Sequence, residues 1–172
     1  MFRAIALAVP LLAIGAAAPA QTVQACATPA HHALDFWIGH WDVFDTRSGE
    51  LAGHSVIEGL YGGCAIRENW SEDGLSGGSL SHYSPEDGRW RQVWTDSSGA
   101  WREFIGGVVG GRMVLTWRRP DPKAVGGIVQ VRMSFTPSRD GSVQQYSDLS
   151  ADGGRTWKLR YDYTYRRVRE GL

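Results

Sequence analysis

The sequence predicts an all-β protein in which one antiparallel meander of about ten strands closes into a barrel. Clusters of Gly, Asp, Ser and Pro recur every ten to fifteen residues, and the segments between them alternate apolar and polar side chains. This alternation is typical of half-buried strands. A meander with so many short strands protects its two edge strands by pairing them with each other. The 172-residue chain leaves no room for a second domain.

Turn chemistry sets the limits of each expected strand. Sequences such as Arg139-Asp140-Gly141 and Asp152-Gly153-Gly154 supply the positive-φ and side-chain-capped positions that hairpins need. A short helical lead-in is expected over residues 29–37. The expected strands are residues 36–46, 51–60, 64–71, 78–83, 89–95, 100–106, 112–118, 127–136, 142–149 and 156–167.

The first residues have the pattern of a secretory signal peptide. A single positive charge, Arg3, precedes a mostly apolar run, and Ala18-Pro19-Ala20 fits the small-x-small rule for cleavage, with cleavage after Ala25 as an alternative. The run is too short for a membrane span. We therefore expect an exported protein, periplasmic or secreted, divided into a signal peptide (1–20), a lead-in (21–34) and a barrel domain (35–172).

Charge and cysteine content narrow the functional classes. The chain has 18 basic and 18 acidic residues without a basic stripe, which argues against a nucleic-acid partner. Its two cysteines, Cys26 and Cys64, are expected to form one disulfide between the lead-in and the third strand in an oxidising compartment. A lipoprotein anchor at Cys26 is disfavoured, because the residues before it lie too far from the apolar run.

Strand alternation predicts which side chains face the barrel interior. In the last strand Trp157, Leu159, Tyr161, Tyr163, Tyr165 and Arg167 share one face, and this aromatic face is expected to point inward. In the middle strands Glu68 goes with Trp70, Gln92 with Trp94, and Glu103 with Trp101. His82 shares a face with Leu80, so an inward position is open to it.

These faces supply the candidates for ligand contact, with Gln130 and Gln145 as further hydrogen-bond partners. The alternatives left open are a buried polar network and an outward face whose Trp residues pack on loops. No zinc, calcium, phosphate-loop or nucleophile motif is present. The candidate residues are Glu68, Trp70, His82, Gln92, Trp94, Glu103, Trp117, Arg132, Tyr161 and Tyr163.

Three segments of the mature chain carry a family resemblance: Asp35-Phe36-Trp37-Ile38-Gly39-His40-Trp41-Asp42-Val43, Trp90-Arg91-Gln92-Val93-Trp94-Thr95-Asp96 and Asp152-Gly153-Gly154-Arg155-Thr156-Trp157. They resemble segments of small secreted bacterial proteins of a domain-of-unknown-function family. More broadly, the chain resembles the lipocalin-like (calycin) superfamily, and within it the nitrobindin-like and fatty-acid-binding-like barrels.

The resemblance implies a fold, a pocket and a contact that closes the barrel. In such barrels a cation from the last strand lies over the Trp of a Gly-x-Trp motif, here Trp41 with Arg167, or with Arg166 if a bulge intervenes. Nitrobindin-like proteins bind haem through a late-strand His, and residues 127–172 contain none. We therefore predict no cofactor, with Tyr161 or Tyr163 as the alternative haem ligand.

A second short motif, Ser150 to Trp157, matches the Asp-box pattern Ser-x-Asp-x-Gly-x-Thr-Trp of sialidase propellers. A single copy predicts a capped turn without a catalytic role, because the blades of a propeller do not fit this length.

Three functions remain after these exclusions. The favoured one is a barrel that binds a compact apolar or amphipathic small molecule and has a mouth of mobile loops such as 72–78 and 119–127. The second is a cofactor-free isomerase or hydrolase with Glu68 or Glu103 as base and Gln92 or a Tyr as hydrogen-bond donor. The third is an interaction or scaffold protein whose barrel is filled by its own aromatic side chains.

Overall fold

All ten predicted strands are present in the computed structural model, which describes residues 25–168. Each strand pairs antiparallel with its neighbours in sequence, and β1 also pairs with β10, so the sheet closes into a barrel. The predicted signal peptide lies outside the described residues. The strands are β1 (Gly39–Asp45), β2 (Leu51–Leu60), β3 (Ala65–Glu72), β4 (Leu75–Ser84), β5 (Arg89–Asp96), β6 (Trp101–Val109), β7 (Arg112–Pro120), β8 (Ile128–Pro137), β9 (Val143–Ser150) and β10 (Lys158–Arg167).

The expected helical lead-in is a series of turns, followed by one turn of 3-10 helix at Asp35–Trp37. The amides of His31 and His32 bond to carbonyls three residues earlier, at Thr28 and Pro29, instead of four residues earlier as in an α-helix. Among the described residues, no helix is long and apolar enough to cross a membrane.

The lead-in covers one end of the barrel, where β2 ends and β3 begins, and we call this the closed end. Trp37 is fully buried there, with its ring centroid 4.5 Å from that of Phe135. The indole of Trp90 donates a hydrogen bond of 3.0 Å to the carbonyl of Ala30. The predicted disulfide between Cys26 and Cys64 is present and joins the lead-in to the start of β3.

The contact that closes the barrel joins Trp41 to Arg167. The guanidinium carbon of Arg167 lies 4.3 Å from the Trp41 ring centroid, and its Nη1 donates to the carbonyl of Ile38 at 3.0 Å. A Cβ at Gly39 would overlap the Arg167 guanidinium, which explains the glycine of the Gly-x-Trp motif. Arg166 lies over Phe44 at 5.0 Å and is exposed.

The opposite end, where β3 ends and β4 begins, is the open end. The expected loop over 72–78 is only a turn at Asp73-Gly74, because β4 begins at Leu75. The longer loop of residues 121–127 lies at this end and contains a 3-10 turn at Val125–Gly127. The Asp-box turn also lies here and is held by Asp152, whose carboxylate accepts bonds from the Arg155 and Thr156 amides at 3.0 and 2.9 Å.

A register shift in β10 reverses part of the predicted inward face. Tyr161 lies opposite Ser147 and faces inward, whereas Leu159 lies opposite Asp148 on the outer face. The prediction that Trp157 and Leu159 face inward is therefore wrong, because the bulge between Leu159 and Tyr161 interrupts the alternation.

The ladder between β6 and β7 ends before either strand does. Its last pair is Ile105 with Thr116. Beyond it β6 stays paired with β5 as far as Trp101, and β7 stays paired with β8 as far as Pro120. Phe104 and Trp117 are the first residues past the last pair, and their ring centroids are 6.1 Å apart. An aromatic pair thus closes the barrel wall where backbone hydrogen bonds are missing.

Candidate ligand-binding site

The barrel contains a cavity of about 250 Å³ that reaches the open end. Its deep part is lined by polar side chains, its walls by aromatic rings, and its mouth by four charged residues. The lining residues are Glu68, Trp70, Glu72, Leu75, Gln92, Trp94, Asp96, Arg102, Phe104, Met133, Gln145, Arg160, Tyr161, Tyr163 and Tyr165.

Glu68 is the only carboxylate in the deep part of this lining. Alternation along β3 puts it inward between Ile66 and Trp70, and it is 4% exposed. Its two carboxylate oxygens accept hydrogen bonds from the hydroxyls of Ser55 and Ser79, at 3.1 and 2.9 Å. Burial raises the pKa of Glu68 to about 7, although hydrogen bonds from Ser79, Ser55 and Tyr165 oppose this shift. The cavity therefore contains a carboxylic acid that changes its protonation state near neutral pH.

Two amides and two phenols line the cavity together with Glu68. Gln92 donates to the hydroxyl of Ser81 at 3.0 Å, and the Tyr165 hydroxyl donates to Gln145 at 2.9 Å. Burial raises the pKa of Tyr161 to about 12 and that of Tyr165 well above its usual value. Both phenols therefore stay protonated and act as hydrogen-bond donors.

Aromatic rings form the walls of the cavity. The rings of Trp70 and Tyr163 are 6.1 Å apart and inclined by 16°, and those of Tyr163 and Tyr161 are 4.9 Å apart at the same inclination. Trp94 and Phe104 also line the cavity. Flat rings on the walls favour a flat, apolar ligand body.

Two arginines at the mouth were missed by the sequence analysis. Arg102 faces inward from β6, with its Nη1 3.6 Å from Asp96 Oδ2. Arg160 belongs to the β10 bulge, and its Nη1 donates to the Ser147 hydroxyl at 3.4 Å. Simple alternation placed both side chains on the outer face. No turn or composition signal marks the bulge, so the sequence could not reveal Arg160.

Six of the ten candidate residues line the cavity together: Glu68, Trp70, Gln92, Trp94, Tyr161 and Tyr163. Gln145, considered only as a partner, lines it as well.

His82 and Glu103 lie outside the barrel. Ser79 and Ser81 occupy the inner face of β4, so His82 and the 45% exposed Leu80 face solvent. The apolar-inward assumption fails there because small serines leave space for the side chains of the neighbouring strands. In β6 Phe104 is the inward residue, so Glu103 is exposed and Trp101 is 59% exposed.

Arg132 is also on the outer face. It makes two hydrogen bonds to Asp148, at 3.1 and 2.6 Å, and its guanidinium lies 4.0 Å from the Trp157 ring centroid. Its charge is therefore paired on the outer surface formed by β8, β9 and the Asp-box turn, away from the cavity.

Trp117 lies partly buried in the wall and borders a second concavity on the outside, which we call the outer groove. This groove has a volume of about 580 Å³ and runs beside the end of the β6–β7 ladder. It is lined by Arg89, Trp101, Glu103, Ile105, Thr116, Trp117, Arg118, Gln130 and Trp157.

Tyr161 and Tyr163 do not fit the alternative role of haem ligand. Iron binds the deprotonated phenol, whereas burial raises the pKa of both tyrosines. The Tyr161 hydroxyl also contacts Met133 Sδ at 3.2 Å.

The fold and the cavity together define a class: a ten-stranded antiparallel barrel with one covered end and a polar, aromatic interior, compatible with a calycin-like fold. Neither a comparison with models of protein families nor a search among curated proteins finds a match for this chain. The geometry of the cavity is therefore the main indication of function.

Proposed function

We propose that the protein is an exported barrel that binds a compact small molecule in its interior. The observation that carries this proposal is the cavity, in which Glu68, Gln92 and Gln145 lie below aromatic walls. A few polar groups within an apolar lining are typical of ligand sites. The filled-barrel alternative loses support, because the aromatic side chains leave about 250 Å³ open.

The size and chemistry of the cavity limit the ligand. Its volume is below the range of about 300 to 1,000 Å³ that is usual for ligand pockets. The ligand is therefore compact, with an apolar body against Trp70 and Tyr163 and a polar group near Glu68.

Export is supported by two features of the chain. The disulfide between Cys26 and Cys64 belongs to an oxidising environment. The apolar run before Ala18-Pro19-Ala20 has the pattern of a secretory leader.

The proposal is tested with a variant that blocks the cavity and a matched control. Leu75 lines the cavity, whereas Leu80 is exposed on the outside of the same strand. We expect an environment-sensitive apolar dye to bind the oxidised protein saturably. Leu75→Trp should weaken this binding about tenfold or more, and Leu80→Trp should change it less than about twofold. Native mass spectrometry of the exported protein would show any ligand retained from the cell.

The absence of a saturable dye site in the wild type would refute the proposed function. Equal losses in the two variants would show that the dye binds elsewhere.

A second candidate function is acid–base catalysis by Glu68, because its pKa of about 7 suits a general acid or base near neutral pH. The proposed reaction is an isomerisation or hydrolysis without a cofactor, with Gln92 or Tyr161 as hydrogen-bond donor. On any substrate that is turned over, Glu68→Gln should remove a pH–rate limb near 7. Glu103→Gln is the control, since Glu103 lies outside the barrel. Persistence of the limb in Glu68→Gln would reject this candidate.

A further inference from the structure

Arg160 supplies a cation at the mouth of the cavity without an acidic partner. Its guanidinium carbon lies 5.6 Å from the Tyr161 ring centroid, and Nη1 contacts only the Ser147 hydroxyl. Within residues 25–168, no carboxylate oxygen lies within 4.0 Å of the Arg160 guanidinium. The lining of the cavity therefore includes a positive charge that no carboxylate within residues 25–168 neutralises by direct contact.

The other charged groups that line the cavity are paired with an opposite charge, held by hydrogen bonds or exposed to solvent. Arg102 faces Asp96 at 3.6 Å, and Asp96 also accepts hydrogen bonds from Trp94 and the Ser98 amide, at 2.9 and 3.0 Å. Glu72 is exposed at the rim. Glu68 lies deeper and is held by serine hydroxyls. Among the described residues that line the mouth, Arg160 is thus the cation without a carboxylate partner, and it can pair with an anionic ligand.

The β10 bulge is the reason that Arg160 reaches the cavity. In an uninterrupted strand, Arg160 would point outward next to an inward Tyr161. The register shift between Leu159 and Tyr161 inserts Arg160 as the unpaired residue and turns it toward Ser147. Bulges often redirect a side chain next to a binding site, at the cost of a ladder hydrogen bond.

We propose that the ligand is a compact aromatic carboxylate whose anionic group pairs with Arg160 while its ring lies against Tyr161 and Tyr163. A guanidinium presents two parallel N–H groups that match the two oxygens of a carboxylate. The stacked rings of Trp70, Tyr163 and Tyr161 provide an aromatic wall for the ring. A hydroxyl on the far side of the ring would meet Glu68 and Gln92. This inference rests on the proposed function.

The test compares two probes that differ in charge and hardly in shape, 4-hydroxybenzoate and 4-hydroxybenzamide. Their affinities are measured by titration calorimetry at about pH 6, below the pKa of Glu68 of about 7, so that repulsion from its carboxylate is small. The wild type should bind the carboxylate about tenfold more tightly than the amide, the scale of one charge-assisted hydrogen bond. Arg160→Gln should reduce this preference to about twofold or less and leave the amide affinity unchanged.

Arg166→Gln is the matched control, because Arg166 is an exposed arginine of the same strand that lies over Phe44. It should keep the tenfold preference, and Arg160→Lys should keep part of it. Equal affinity of the wild type for the two probes, or a preference that survives in Arg160→Gln, would overturn the inference and leave the proposed function in place. If neither probe binds but the apolar dye does, the inference also fails alone. If the dye does not bind either, both fail.

Discussion

Glu68 shows how a single residue can be costly for stability and useful for binding. A carboxylate in this position loses its hydration, and two serine hydroxyls replace only part of it. Neighbouring cations would have lowered its pKa, yet the groups that contact it are neutral donors. The protein therefore keeps Glu68 largely protonated at mildly acidic pH, when it can donate a hydrogen bond to a ligand.

The stability of the protein should fall as the pH rises through the pKa of Glu68. Its pKa is raised from 4.5 in the unfolded chain to about 7, so the folded state binds the proton more tightly. The resulting stabilisation is full below about pH 4.5 and is lost as the pH approaches and passes 7. The unfolding free energy should therefore be about 3 kcal/mol higher below pH 4.5 than above pH 7, because each unit of pKa shift corresponds to about 1.4 kcal/mol. Urea unfolding at a series of pH values would measure it.

Glu68→Gln should flatten this pH dependence, because a neutral amide of the same shape has no proton to lose. Above about pH 8 the variant should equal or exceed the wild type in unfolding free energy. Comparing the variant with the wild type isolates the contribution of Glu68 to the pH dependence, because the two proteins share every other ionisable group. A pH dependence that is identical in the two proteins would contradict the raised pKa.

The interior of this barrel could be predicted only in part from alternation. Glu68, Gln92 and Tyr163 were assigned correctly because a large aromatic residue lies on the same face of each strand. Glu103 was assigned to the interior for the same reason, and here the reason failed, because Trp101 lies on the outside and is 59% exposed. Where both faces of a strand carry aromatic and charged residues, alternation gives two faces but does not say which one is inside.

Among the elements, the seam between β6 and β7 depends on one glycine. Gly106 lies directly opposite Leu115, and a Cβ at this position would overlap the backbone oxygen of Val114. We expect Gly106→Ala to reduce the unfolding free energy by about 1 to 3 kcal/mol, since the overlapping atoms belong to the backbone and cannot rotate away. Thermal or urea unfolding is the measurement.

Gly107→Ala provides the control for this seam. No atom lies within 4 Å of a Cβ built at Gly107, and its φ is not in the left-handed region. The substitution should be neutral or stabilise by up to about 1 kcal/mol, because alanine restricts the unfolded chain. Equal destabilisation by the two variants would mean that the close approach at Gly106 is not the cause.

The contact between the first and last strands should contribute measurably to stability. Arg167→Ala removes the guanidinium from Trp41 and the hydrogen bond to the Ile38 carbonyl, and we expect a loss of about 1 to 2 kcal/mol in unfolding free energy. Arg166→Ala, which affects only the exposed contact with Phe44, should cost less than about 0.5 kcal/mol. Similar losses in both variants, measured by urea unfolding, would argue against a specific closing contact.

Element positions were the most predictable part of the fold. Gly, Asp and Ser at turns such as Arg139-Asp140-Gly141 have a local physical role, so they mark strand ends without reference to the rest of the chain. The β10 bulge has no local marker, and its consequence, Arg160 in the cavity mouth, depends on the register with β9. The lead-in failed for another reason, since its turns are held by tertiary contacts of Trp37 and Cys26.

On the scale of the whole molecule, the disulfide stabilises the barrel by holding the cover over its closed end. Cys26 and Cys64 are separated by 38 positions in sequence. Closing a loop of this size lowers the conformational entropy of the unfolded chain, which stabilises the folded state by about 3 to 4 kcal/mol. We expect Cys26→Ser/Cys64→Ser, or reduction of the wild type, to lower the unfolding free energy by up to this amount. Guanidinium unfolding with and without reductant is the measurement, and the double variant should not respond to reductant.

The short ladder between β6 and β7 also determines how the barrel moves. Hydrogen bonds join the two strands only as far as the pair of Ile105 and Thr116, and beyond it the rings of Phe104 and Trp117 close the wall by packing alone. Side chains separate more readily than a backbone ladder, so thermal fluctuations should widen the wall here first. A molecule whose interior is sealed at one end thus has, besides its mouth, a line along its side where solvent can enter briefly and where deuterium should replace amide hydrogen early.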